Sequence, residues 1–504
     1  MHSISTAPTE GWWGLATNFG HLAPYGPNVA IELRGECQGN QASPVLLSSE
    51  GRWVWSLEPF HFTRTPDALL LDGTGDFIEG RSSGGLRGAY RDVSAKFYPP
   101  TGSICDPLLF LAPQYNTWIE MGYNPTQEGV LKYAESILAH GFAPGVLMID
   151  DGWMRAYGDW RFEQERFPEP RKLINQLHAL GFKVMIWLIP FVSADIPNFR
   201  ELRKSGGLVN GPDGKPVLRE WWNGFSALVD ITGGPGRAWF RAQLQRIHDD
   251  YGIDGFKLDG GDTSFHSDSD VLFTGADSNG HTEAFADMAE GWPLNEFRAA
   301  WKNGGKPHAQ RLRDKKHEWS NEGLATLIPH AITAGLLGYP FTCPDMIGGG
   351  LIESFSAQIE HLDHELMVRS AQCSALMPMM QFSAAPWRVL PPRERDLCVD
   401  AARLHTAWGP RILEMAREAA RTGEPIVRSM EYQFPGLCPL DTADQYMLGD
   451  DLLVAPVVVK GQTRRTVLLP AGSWRDDLGA VHHGPGKIEV SAPLERLPYF
   501  VRVS

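Results

Sequence analysis

The chain has 504 residues, 43% hydrophobic and 21% charged, which at roughly 100–200 residues per domain leaves room for several domains and a large core. That composition excludes a small binding module, a disordered chain and a fibrous one. Lys and Arg number 46 against 60 Asp and Glu, a net charge of −14, and such a field repels a phosphate backbone and an anionic membrane alike, so neither nucleic acid nor a membrane is an expected partner.

The first ten residues have neither a basic start nor an apolar stretch of the kind a secretory signal needs. The longest apolar run, Val184 to Val192, is far short of the roughly 20 residues of a membrane-spanning helix. A cytoplasmic protein is expected. The six cysteines are scattered, with no Cys-x-x-Cys spacing, so reduced thiols are expected rather than a zinc site or a disulfide framework.

From Trp12 to about Asp106 the chain is Gly-rich, with extended runs such as Pro44–Leu47 and Arg52–Ser56 between turn signals such as Asn40–Ser43 and Asp72–Gly75. It reads as a β-rich N-terminal domain over residues 1–107, a β-sandwich. The pattern then changes. Val130, Leu131, Ala134, Ile137 and Leu138 share one helical face, stopped by His140-Gly141, and a buried strand Val146–Asp150 follows. The unit recurs with Leu173, Ile174, Leu177 and Leu180 before Lys183–Trp187, and again with Trp239, Phe240, Leu244 and Ile247 before Gly255–Asp259. Fully apolar strands between amphipathic helices imply a parallel sheet. Further units near Leu324–Phe341 and Leu366–Met380 favour an α/β fold of the (β/α)8 TIM barrel type over residues 108–435. Beyond Pro435 short strands return, at Asp451–Val459, Thr466–Pro470 and Lys487–Val490, giving a C-terminal β-sandwich over 436–504.

Barrel active sites lie at the carboxyl ends of the strands. Three apolar runs here end in acid: Asp150-Asp151-Gly152-Trp153, Lys257-Leu258-Asp259-Gly260-Gly261-Asp262, and Pro344-Asp345. A lone acid after a strand commonly caps the next helix. Three together, with Trp153, Trp187 and Trp222 nearby and neither a phosphate loop nor a His/Cys cluster, suit glycosidic-bond chemistry, in which paired carboxylates act as nucleophile and general acid. Lys257 and Asp259 fall on the same strand face, so the cation can lower the pKa of the acid. Because strand neighbours point to opposite faces, one of Asp150 and Asp151 is expected to face away from the cleft. Trp187 and Trp222 are placed on the cleft wall or in the core.

Four stretches, Lys257–Asp262, Gly338–Gly349, Asp444–Val457 and Leu494–Arg502, in this order and spacing resemble glycoside hydrolase family 31 over nearly the whole chain from about Pro44. The resemblance implies a retaining α-glycosidase with Asp259 as nucleophile and no metal or organic cofactor. It assigns the acid/base to Asp314, in Arg311-Leu-Arg313-Asp314, although the family's usual Trp-x-Gly-Asp setting is missing. Lys257, Arg311, Arg313, Asp262 and Trp387 are placed with the substrate-binding residues, and Asp345 is expected to contact the −1 sugar or to orient its neighbours. Family members acting on glucose usually carry a His where this chain reads Met379-Met-Gln381, and usually lack the tandem Asp-Asp-Gly-Trp. That tandem resembles the strand end with which α-galactosidases of related barrels hold galactose. The expectation is an exo-acting α-galactosidase, its partner a carbohydrate with a terminal α-galactose. An α-glucosidase or α-glucosyltransferase on the same machinery, or a binding protein that has lost catalysis, are the alternatives. A homo-oligomer is left open.

Overall fold

The computed structural model describes residues 1–34 and 39–503. Cys37 lies outside them, and the other five cysteines are buried and free. Eight short strands form the centre: β1 Gln114–Asn116, β2 Val146–Ile149, β3 Lys183–Leu188, β4 Gly255–Leu258, β5 Asn295–Phe297, β6 Gln310–Arg311, β7 Thr342–Cys343 and β8 Gln381–Phe382. They follow one another in the sheet, all parallel, with β1 pairing both β2 and β8. The ring closes just past β7, where Met346 bridges Gln381 and the Ile347 N–H donates to the Gln381 carbonyl at 2.8 Å.

The helices around the ring arise where the apolar period requires them. Helix α1, Gln127–Ala139, starts at Thr126, whose hydroxyl accepts the Gly129 N–H at 3.0 Å, and buries Val130, Tyr133, Ala134 and Ile137. Helices α2, Pro170–Ala179, and α3, Gly234–Tyr251, repeat the arrangement ahead of β3 and β4. Gly252 ends α3 in the left-handed region, φ +79°, its N–H returning to the His248 carbonyl, a position where a side chain would be strained. Helices α4, Leu327–Leu336, and α5, His364–Ala375, precede β7 and β8, and the 31-residue α6, Pro392–Thr422, follows.

The N-terminal strands form two sheets that share one core of Ile4, Trp12, Leu46, Val54, Phe62 and Leu71. Two features depart from the sequence reading. Asn40–Ser43 is not a turn, since a strand runs over Gln41–Ser48. Gly85–Phe97 is a helix, burying Leu86, Ala89, Tyr90 and Val93 at helical spacing, a period present in the sequence. The strand Ala300–Trp301, in the β5–β6 connection, pairs with Gln41–Ala42, so the barrel and the N-terminal sheet are sewn together.

The C-terminal strands form a single six-stranded sheet. Its long strand Arg464–Asp476 is irregular between Leu469 and Gly472, and the sheet folds so that Val467, Leu469 and Val490 pack with Met447, Leu453 and Phe500. Arg369 and Gln372 of α5 donate to the carbonyls of Ala492 and Leu494, at 2.8 and 2.6 Å, fixing this sheet against the barrel. Among the described residues no helix is long and apolar enough to cross a membrane.

Candidate active site

At the carboxyl end of the barrel a pocket of about 170 Å³ is lined by residues at the ends of β2 to β6, Asp150, Asp151, Trp187, Asp259, Arg298 and Arg311 among them, with Trp118 past β1 and Met346 past β7. Trp187, Lys257 and Asp259 are buried at its floor, whereas Trp222 (42% exposed) and Tyr123 (39%) stand at the rim.

Asp259 follows β4, its backbone N–H donating to the Leu188 carbonyl at 2.9 Å. Its carboxylate accepts the Trp187 indole N–H at 2.8 Å and the Gly260 N–H at 2.9 Å, and Arg298 Nε lies 3.3 Å away. Burial alone would raise its pKa. The charges of Arg298, Lys257 and Arg311, with the indole N–H, outweigh burial and hold it well below the usual carboxylate range. Gly260, at φ +66°, leaves no room for a side chain, because a Cβ there would lie 2.8 Å from Ile189 Cγ1. Gly260→Ala is therefore expected to cost roughly 1–3 kcal/mol, read as a Tm lowered by several degrees in a thermal melt, with activity falling as Asp259 is displaced.

Asp314 lines the same pocket and accepts from the Arg311 guanidinium, which is fully buried and also lies 3.3 Å from Glu296 and 3.6 Å from Asp345. Asp345 stands behind the pocket. It accepts the backbone N–H groups of Lys315 and Gly350 at 2.8 and 3.0 Å. Burial, reinforced by the charge of Asp314, pushes its pKa up to about 7 against the pull of Arg311 and Lys315. Asp262 is likewise behind the pocket, bonded to Arg298, and burial raises it to about 6. Asp262, placed with the substrate-binding residues, bonds Arg298 of the pocket lining, and Asp345, expected on the sugar or as a support for its neighbours, bonds the backbone of Lys315 and Gly350.

Both carboxylates of Asp150-Asp151 line the cleft, contrary to strand alternation. The strand ends at Ile149. Beyond it the Asp150 N–H goes to the Thr117 hydroxyl and the Asp151 N–H to Asp150 Oδ1, at 2.9 and 2.8 Å, so the chain turns and alternation no longer applies. Lys257 is paired with Asp150 at 2.7 Å rather than with Asp259. Asp151 accepts from Asn223 at 2.8 Å and from Tyr157 at 3.1 Å. Burial and the neighbouring Asp150 charge push its pKa up to about 7.

Three expected binding residues lie elsewhere. Trp153 is wholly buried, its indole N–H donating to the Trp187 carbonyl at 2.8 Å and its ring packed on Phe162, because Gly152 (φ +88°) turns the chain under the hairpin Met154–Phe162. Arg313 points to Glu322, 2.5 Å away. Trp387 stacks on His140 and packs against Tyr133 and Phe142, beside α1. Gln381 does not reach the pocket either. It donates to Glu296 at 2.7 Å and Gln114 at 3.2 Å inside the barrel. The sequence reading missed Arg298, Glu296, Tyr157 and Asn223. None of them stood at the end of an apolar run, since Glu296 and Arg298 flank Phe297 in the short polar strand Asn295–Phe297. Among the described residues no group of three His, Cys, Asp or Glu side chains could hold a metal ion.

Carboxylates gathered at strand ends, beside buried guanidinium groups and an aromatic wall, define a barrel of the carbohydrate-active class. The chain belongs to glycosyl hydrolase family 31: it matches the family's TIM-barrel domain over residues 111–407 and its C-terminal domain over residues 423–504. It is 34% identical over 405 residues to a myogenesis-regulating glycosidase of Mus musculus, covering 78% of this chain and 57% of that protein. It is 25% identical over 411 residues to alpha-glucosidase 2 of Bacillus thermoamyloliquefaciens, covering 75% and 50%. The chain thus spans little more than half the length of these relatives. Its fold is that of a Flavobacterium johnsoniae dextranase of the same family solved with glucose, at TM-score 0.86 and 21% identity over 99% of this chain and 66% of that one.

Proposed function

We propose that this protein is a retaining exo-α-glycosidase acting by double displacement on a terminal non-reducing sugar. The observation that carries the reading is Asp259, a buried carboxylate kept ionised by Arg298, Lys257 and Arg311 in a pocket that Asp314 also lines. A nucleophile must be ionised before substrate arrives. Asp259 attacks the anomeric carbon while Asp314 gives a proton to the departing oxygen. Asp314 then takes a proton from water as water displaces the sugar from Asp259. Retention through a covalent intermediate calls for carboxyl groups about 5–5.5 Å apart.

The test is a leaving-group series on Asp314→Asn. Substrates with poor leaving groups should slow by about 10²–10⁴-fold, the usual contribution of general acid catalysis, whereas activated aryl glycosides should lose far less in the first step. Equal losses across the series would make Asp314 a binding residue. The anomer first released, followed by NMR, reports retention independently.

Within this reading the preferred sugar is α-galactose. The support is that both Asp150 and Asp151 line the pocket, with Asp151 oriented by Tyr157 and Asn223, so that a carboxylate can accept from an axial 4-hydroxyl, a direction an equatorial one does not present. An α-glucoside is the second reading, favoured by relatives named alpha-glucosidase 2 and 1,3-alpha-isomaltosidase.

A further inference from the structure

One guanidinium stands between two carboxylates of the same turn. Arg298 follows β5 directly, its Nε 3.3 Å from Asp259 Oδ1 and its Nη2 donating to Asp262 Oδ2. The two acids reach it from one side because Gly260 and Gly261 both adopt left-handed φ, +66° and +71°. The guanidinium lies 5.0 Å from the centre of the Trp222 ring at the pocket rim. The main chain of Arg298 is held from the N-terminal domain, its carbonyl accepting from Asn40 Nδ2 at 3.1 Å and Gln41 Nε2 at 2.8 Å.

We infer that Arg298 and Asp262 form a positioning pair for the nucleophile, in which Arg298 orients Asp259 without tying up both its oxygens, and Asp262 compensates Arg298 while Asp259 is covalently occupied. The inference rests on the glycosidase reading. In glycosylation a bond forms between an Asp259 oxygen and the anomeric carbon, and the bond from that carbon to the leaving oxygen breaks with its electron pair. The leaving oxygen takes the proton of Asp314. Asp259 is then a neutral ester and the negative charge has moved to Asp314, beside Arg311. Without Asp262, Arg298 would become a buried cation with no charged carboxylate in contact, a costly state. Its contact to Asp262 is also the shorter of the two, which leaves Asp259 a single guanidinium contact instead of a two-pronged one.

The groups facing Asp259 are Lys257 from β4, Arg311 from β6, the Trp187 N–H from β3, and the acids Asp262 and Asp314. Lys257 and Arg311 have carboxylates of their own, Asp150 for the first and Asp314 and Glu296 for the second. Arg298 also has a carboxylate of its own in Asp262, but it is the cation in contact with Asp259, at 3.3 Å, and so the one whose removal Asp259 should feel most. Losing it destabilises the charged form, so the acid limb of kcat/KM, which requires ionised Asp259, moves to higher pH.

The experiment is the pH profile of kcat/KM on an aryl α-galactoside for Arg298→Gln, Arg298→Lys, Asp262→Asn and the unaltered site, each in an Asp151→Asn background so that the titration of Asp151 at about 7 does not set the acid limb. Arg298→Gln should raise the acid limb by at least about one pH unit, the range for an opposite charge at this distance, and Arg298→Lys should raise it less. Asp262→Asn should leave the limb where it is or lower it, while kcat falls at least about tenfold, the scale of one mispositioned catalytic group, because Arg298 can close on Asp259. An unmoved limb in Arg298→Gln, or in Arg298→Lys should the first fail to fold, alongside an undiminished kcat in Asp262→Asn, would overturn the inference. Infrared titration of the Asp259 carboxylate, isolated as the difference from Asp259→Asn, reads the same shift without turnover. If wild type hydrolyses no aryl glycoside, the glycosidase reading fails and this titration still decides the role of Arg298.

Discussion

Asp259→Asn is expected to fold like the wild type and to lose about four orders of magnitude or more in kcat on aryl α-glycosides, the scale on which removing a catalytic nucleophile acts. Folding should survive because the amide keeps the shape of the carboxylate and can still accept the Trp187 indole N–H, while Arg298 retains Asp262 as its partner. The loss is large because an amide cannot attack the anomeric carbon to form the covalent ester. Azide should restore turnover by attacking from the side the carboxylate occupied, giving a β-glycosyl azide with inversion, identifiable by NMR. A purified mutant within tenfold of wild type, or an azide product of retained configuration, would remove Asp259 from this role.

The second large effect concerns the choice of sugar. A site built to hydrogen-bond one hydroxyl can reject the analogue lacking that contact by about 10⁴–10⁵, whereas a pocket that selects by shape reaches about 10². Wild type is expected to hydrolyse aryl α-galactoside with little action on aryl α-glucoside, and Asp151→Ala should pull the ratio towards the shape-only value. Asp150 is the poorer probe. Its removal strands the buried Lys257 ammonium, a loss of about 3–5 kcal/mol for a broken buried pair. Because burial raises the Asp151 pKa to about 7, its accepting carboxylate is lost as pH falls through that value, so the galactose preference should grow from acid to alkaline pH. A wild type that prefers the glucoside would overturn the galactose reading and leave Asp259 and Asp314 in their roles.

Much of the barrel was legible because its elements are local. The period of Val130, Ala134 and Ile137 and the glycine after α3 depend on nothing beyond a few neighbouring residues. The helix Gly85–Phe97 had the same signal, obscured by the glycines and turn residues that surround it. Asp150, Asp259 and Asp345 could be singled out because a parallel barrel sends the carboxyl end of every strand to one rim. Side-chain direction past those ends was not legible. Trp153 sits next to Gly152 in a motif that resembles a sugar-binding one, yet it lies in the core, and it is Tyr157, four residues on, that reaches Asp151. Nothing local tells the two aromatics apart, since a hairpin turn decides which one reaches Asp151.

The sequence by itself determined the succession of strand and helix and the acids that end the strands, because both follow from apolar spacing over a few turns. Which charge meets which was decided only by the closed ring. Lys257 finds Asp150 two strands away, Arg311 collects Glu296, Asp314 and Asp345, and Arg298 is held by two acids of the neighbouring turn and by Asn40 and Gln41 of the N-terminal segment. The physical reason is that a buried charge must be paired by whatever the fold brings within a few ångströms. Distance along the chain does not contain that information.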